Sequence, residues 1–101
     1  MNIADLSPKN VWTIFHEITR IPRPSKREER IRQYVKKWAY DNFVDYDEDK
    51  AGNIVLRRPA TKGYDDAPVI TMEAHMDMVC ESNEPFDFEN TPISTRVDGE
   101  W

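Results

Sequence analysis

Glu73, His75 and Asp77 stand two apart in the run Val69-Ile-Thr-Met-Glu-Ala-His-Met-Asp-Met-Val79. Side chains of a β-strand alternate between its faces, so a strand here would place all three ionisable groups on one side, with Val69, Thr71 and Val79. The other side would carry Ile70, Met72, Ala74, Met76, Met78 and Cys80, all apolar. A neutral imidazole can bind a zinc ion through one nitrogen while its other N–H donates to a carboxylate, which fixes the tautomer and makes the ring a better ligand. His75 is therefore the candidate metal ligand and Asp77 the candidate orienting acid. The His-x-Asp tripeptide alone is weak evidence for this, because a lone strand histidine is more often structural than metal-binding. No second His, Cys pair or His-Glu-x-x-His helix is present, so one copy of this sequence cannot close a zinc site.

Other chemistries are poorly supported. There is no Gly-rich phosphate loop and no Gly-x-Ser-x-Gly elbow. Asp45, Asp47, Glu48 and Asp49 are dense in carboxylate, but a calcium loop ends on glutamate at its twelfth position. That position is Leu56 counted from Asp45 and Arg58 counted from Asp47. A solvated strand end and turn is the expected reading. Cys80 lacks a partner base and is expected to be a buried apolar residue. The methionines are expected to fill a core.

The elements that must position the pair follow from periodicity. Ser7 can cap a helix whose first position suits Pro8, with Val11, Trp12, Phe15 and Ile18 at helical spacing. His16 falls beside that stripe and reads as a surface or boundary histidine. Ile21-Pro-Arg-Pro24 cannot continue the helix. Ser25 and Glu28 form a capping-box pattern for a second helix, with Ile31, Tyr34, Val35, Trp38 and Ala39 on its apolar face and an end near Asp41-Asn42. Phe43 to Asp47 and Ile54 to Leu56, separated by Ala51-Gly-Asn53, suggest a β-hairpin. Residues 59 to 68 read as a loop, and Ile93 to Val97 as a further short strand. Asp98-Gly99 is a hairpin signal, yet Trp101 follows it at once, so the natural polypeptide is expected to continue.

Composition bounds the remainder. The 101 residues are 33% charged and 39% apolar with 11% aromatics, the balance of a soluble globular chain of one small domain or part of a larger one. A net charge of −5 disfavours nucleic acid as a partner. Lys26, Arg27, Arg30, Arg32, Lys36 and Lys37 cluster, but Glu28 and Glu29 lie among them, and a solvated helix face is expected rather than an anion-binding one. A single cysteine, no secretory leader pattern and no run long enough to span a bilayer point to a cytoplasmic protein without a membrane partner.

The run from Val69 to Val79 resembles the first metal-binding motif of the co-catalytic zinc exopeptidases. The flanks sharpen this to the aminoacyl-histidine (Xaa-His) dipeptidase branch. Leu6-Ser-Pro-Lys-Asn-Val-Trp-Thr-Ile-Phe15, Ile21-Pro-Arg-Pro-Ser25 with Glu28-Glu29, Ala51-Gly-Asn-Ile-Val-Leu56 with Arg58-Pro-Ala60, Phe86-Asp-Phe88, Pro92-Ile93 and Asp98-Gly-Glu-Trp101 agree with it in order and spacing. The loop between Cys80 and Phe86 is shorter than that branch leads one to expect. The resemblance implies an α/β fold, the N-terminal part of a helix-flanked mixed β-sheet catalytic domain in the order helix, helix, hairpin, strand. Residues 1–101 would be a truncated part of that domain. It further implies two zinc ions, with cobalt or manganese as substitutes, His75 as a ligand of one, and Asp77 as the residue that orients His75. The reaction implied is hydrolysis of dipeptides ending in histidine, with the general base and other ligands beyond this sequence. The expected partners are the dipeptide and the remainder of the catalytic domain, with homodimerisation through a further domain also implied. The chain by itself is expected to be inactive and to bind zinc weakly, since zinc takes four ligands. A tripeptidase or general aminopeptidase of the same family is one alternative, and a non-catalytic α/β binding module another.

Overall fold

The structure is a computed structural model that describes residues 2–99. In chain order it holds a 3-10 turn (Ile3–Asp5), helix α1 (Lys9–Thr19), helix α2 (Glu29–Asp41) and strands β1 (Asp45–Glu48) and β2 (Ile54–Arg57). This is the expected α/β order of helix, helix and hairpin. Among the described residues no helix is long and apolar enough to cross a membrane. Contacts divide the chain into two units, one of residues up to Ile31 and from Asp77 onward, the other Arg32–Met76.

In the first unit, Asn2 opens the 3-10 turn, its Oδ1 accepting from the Ala4 N–H at 2.8 Å. Ile3 is buried and α1 packs against this turn. The start of α1 is one residue later than the sequence suggests. Pro8 is extended and occupies the cap position, where its carbonyl accepts the Trp12 N–H at 3.2 Å. Ser7 then lies outside the first turn, and no side chain caps the helix.

The far end of α1 satisfies its last carbonyls one by one, as a buried helix end must. The Thr19 hydroxyl donates to His16 O at 2.7 Å. The Arg20 N–H donates to Glu17 O at 3.2 Å and the Ile21 N–H to Ile18 O at 3.1 Å. Arg23 Nη1 adds a bond to Ile18 O at 3.0 Å. The Ile93 N–H donates to Thr19 O at 3.0 Å, which ties the late loop to the helix. The strand expected from Ile93 to Val97 has no ladder and serves as this anchor instead. The return strand expected after Gly99, with Trp101, lies outside the described residues.

The capping box expected for α2 does not form. The Arg27 N–H closes a turn onto Pro24 O at 2.8 Å, and Lys26 takes a left-handed φ of 71°. Glu28 Oε1 accepts from the Lys26 N–H at 2.9 Å rather than from Ser25. The helix therefore begins at Glu29, and Ser25 is released for another role. Its C-terminus matches the Schellman pattern: the Val44 N–H donates to Ala39 O at 2.8 Å and the Phe43 N–H to Tyr40 O at 3.3 Å. Phe43 fills the left-handed position, φ 57°, where glycine is the usual occupant, and the residue is 97% exposed.

In the second unit β1 and β2 pair antiparallel, with Tyr46 opposite Leu56 and Glu48 opposite Ile54. Asp49 builds the turn between them. Its Oδ1 accepts from the N–H groups of Ala51 and Asn53, both at 2.9 Å, and its Oδ2 accepts from Asn53 Nδ2 at 2.8 Å. These bonds, the Asn53 side-chain amide first, hold the Asp49 carboxyl below the usual carboxylate range. A carboxyl with a lowered folded pKa supports the turn at all pH above its ordinary value, and that support is lost as pH falls through the lower one. The carboxylate-rich stretch is thus a strand end and turn, as expected.

Arg32 and Lys36 of α2 both reach Glu48 on β1, at 3.7 and 3.1 Å, and their side chains are only 21% exposed. This corrects the reading of the basic cluster as wholly solvated. Arg32 also lies against Gly52: a Cβ built there would meet the arginine Cδ at 3.0 Å, and Gly52 has φ +91°. Gly52→Ala is therefore expected to destabilise the protein carrying this chain by about 1–2 kcal/mol, from left-handed strain and displacement of Arg32 from Glu48. A denaturant midpoint unchanged from wild type would contradict this.

The run Val69–Val79 departs furthest from expectation. It joins no ladder, and Met78 alone makes an isolated parallel bridge, with Pro24. Ile70 is 86% and Met72 94% exposed, and Cys80 is exposed rather than buried. Alternation requires a neighbouring strand and a layer on the apolar face, and neither is present among the described residues. The same lack leaves β1 exposed along its whole length, not half-buried.

Candidate functional site

One part of the candidate site lies where Arg23-Pro24-Ser25 meets Asp77-Met78, all within the first unit. The Met78 N–H donates to Arg23 O at 2.9 Å, and the Ser25 N–H donates to Met78 O at 3.2 Å. In this parallel pairing Met78 bonds to the two residues flanking Pro24, so the missing proline N–H leaves no gap. Pro24 itself is buried. Arg23 Nη1, bound to Ile18 O, fixes the same segment to the end of α1.

This pairing brings Ser25 beside Asp77. The Ser25 hydroxyl donates to Asp77 Oδ2 at 2.5 Å, with a longer approach to Met78 O at 3.4 Å. A hydroxyl-to-carboxylate bond of this length is in the charge-assisted range. It joins residues 52 positions apart in the chain. Sequence reasoning missed it, because Ser25 and Glu28 satisfy a local capping pattern. The available signal was Pro22 and Pro24: a segment that cannot be helical keeps its remaining N–H groups for pairing with other chain.

His75 belongs to the second unit and its side chain is exposed. Glu73 is exposed as well. Among the described residues no three His, Cys, Asp or Glu side chains stand together as a metal-holding group. His16, the other histidine, lies half-buried on α1, and its Nδ1 is buried without a hydrogen-bond partner among the described residues.

Other charged residues of the same unit pair with one another. Arg27 Nε pairs with Glu89 at 3.4 Å, and Arg30 Nη1 donates to Glu89 O at 2.7 Å. The Asp87 carboxyl is held below the usual carboxylate range by the Asn90 side-chain amide, bonded at 3.0 Å. Phe86 and Phe88 pack as a tilted pair, 4.9 Å between ring centroids and 59° between planes.

A search of solved structures finds this fold in the crystal structure of aminoacylhistidine dipeptidase from Vibrio alginolyticus, with a TM-score of 0.91 and 38% identity over 100% of the chain. The chain is similar to that aminoacylhistidine dipeptidase. Among curated proteins, the cytosol non-specific dipeptidase of Escherichia coli (strain K12) is 39% identical over 98% of the chain. The chain spans 21% of the length of each of these relatives. No family model matches it. The matched span covers both units.

Proposed function

We propose that these residues form part of the catalytic domain of a cytoplasmic zinc-dependent dipeptidase. The observation that carries this reading is the likeness to an aminoacylhistidine dipeptidase over the full chain at 38% identity. His75 is the ligand this chain contributes, and Asp77 orients its ring. The donor chemistry fits: an exposed imidazole is a common zinc ligand, and a carboxylate is its usual outer partner. The carboxylate held in place by Ser25 supports that role, since an outer partner orients a ligand only if it is itself fixed. Remaining ligands and the general base come from outside these 101 residues.

The pair of zinc ions, when bound, supplies an acidified water and polarises the scissile carbonyl. The chain's own contribution is positional. Asp77 favours the imidazole tautomer with one bare nitrogen, and the Pro24–Met78 pairing fixes the backbone that carries Asp77. The likeness to a cytosol dipeptidase supports the cytoplasmic assignment.

The substrate is proposed to be a dipeptide with C-terminal histidine. A broader dipeptide range is a second reading, favoured by the non-specific activity in the name of the Escherichia coli relative. Assay of the full-length protein on dipeptides ending in histidine, on dipeptides ending in other residues, and on tripeptides separates these. Highest kcat/KM on the histidine dipeptides is expected. Equal rates across dipeptides would favour the broad reading, and faster tripeptide cleavage would overturn both.

A further inference from the structure

We propose that Ser25 is a positioning residue of the zinc site, acting through Asp77; this rests on the dipeptidase reading above. Ser25 Oγ–H donates to Asp77 Oδ2 at 2.5 Å. A carboxylate so held loses free rotation about its terminal torsion, which otherwise has a broad, two-fold well. The direction in which its remaining lone pairs face is then set by the serine. An acid that orients an imidazole needs that restraint, because the tautomer and ring angle of the ligand follow the acid.

The surroundings of Ser25 serve the same end. Pro22 and Pro24 exclude helix at this segment, and the pairing of Arg23 O and Ser25 N–H with Met78 sets the register that places Ser25 beside Asp77 and not one residue away. Lys26, at φ 71°, turns the chain away at once and leads into α2. The hydroxyl and the backbone therefore do separable jobs. The Ser25 N–H holds the two segments together, and Ser25 Oγ holds the acid. Substitution by alanine removes the second and keeps the first.

The test uses the full-length protein, with zinc affinity read by competition against a chromogenic chelator. Ser25→Ala is expected to weaken zinc about tenfold, the lower end of what loss of an outer partner costs. A fall in kcat with KM little changed is expected beside it. The thermal midpoint of the metal-free protein should stay near wild type, and Ser25→Thr, which keeps a hydroxyl, should restore zinc affinity. In an Asp77→Ala background Ser25→Ala should add nothing, because the two residues act as one unit. Additive losses, a Ser25→Thr defect equal to that of alanine, or a large drop in metal-free stability would each overturn the proposal. So would unchanged zinc affinity in Ser25→Ala while His75→Ala loses zinc, and in that case the dipeptidase reading survives. Zinc binding unaffected by His75→Ala would remove both.

Discussion

Replacing His75 by alanine in the full-length protein is expected to remove most dipeptidase activity, by more than a hundredfold in kcat/KM. The argument is one of rank. Loss of an outer-shell partner typically costs roughly 10–100-fold in metal affinity or activity, and loss of a ligand itself must cost more. His75 is exposed, so the substitution opens no cavity and the protein should fold as before. His16→Ala is the internal control. His16 sits on α1, and its Nδ1 makes no hydrogen bond among the described residues that the change could break. Its effect on activity should be close to nil. Steady-state kinetics of the two variants side by side decides the matter, and equal losses would contradict the assignment of His75.

The second large effect is expected at Asp77. Asp77→Ala should lower activity and zinc affinity together by about 10–100-fold, the range for an outer-shell carboxylate. The parallel loss is the diagnostic feature, since a residue that only supports the fold would change stability first. The Ser25 hydroxyl left behind is exposed and can turn to water, so no buried donor is orphaned. A variant that keeps full zinc affinity but loses activity would show Asp77 working on the substrate and not on the metal site.

What was legible in the sequence divides along the range of the interaction. The two helices were readable because the stripes through Trp12 and Phe15 and through Ile31, Val35 and Ala39 are set by residues three or four apart. The hairpin was readable from Ala51-Gly-Asn53 and the strands on either side. His75 and Asp77 stood out as a pair by spacing, though the roles proposed for them come from the family likeness. Ser25 reads as a cap because Glu28 stands three residues on, and only its pairing with Met78 shows that a distant segment of the chain outcompetes that local bond. The shift of α1 by one residue has a similar root, since Ser7 and Pro8 both suit a helix start and the backbone of Pro8 decides between them. For Val69 to Val79 the alternation was visible, but a strand is defined by neighbours, and periodicity carries no information about where those lie.

The exposure of that run has a consequence for how the polypeptide behaves while its apolar face is uncovered. Val69-Ile-Thr-Met72 combines β-branched and apolar side chains with no charge, and Val69, Ile70 and Met72 are exposed, a local composition that favours strand-to-strand association. It is bracketed by Pro68, which has no N–H to offer a growing stack, and by Glu73, whose charge repels its own copies. The acid that opens the chemical half of the segment therefore doubles as a gatekeeper against self-assembly.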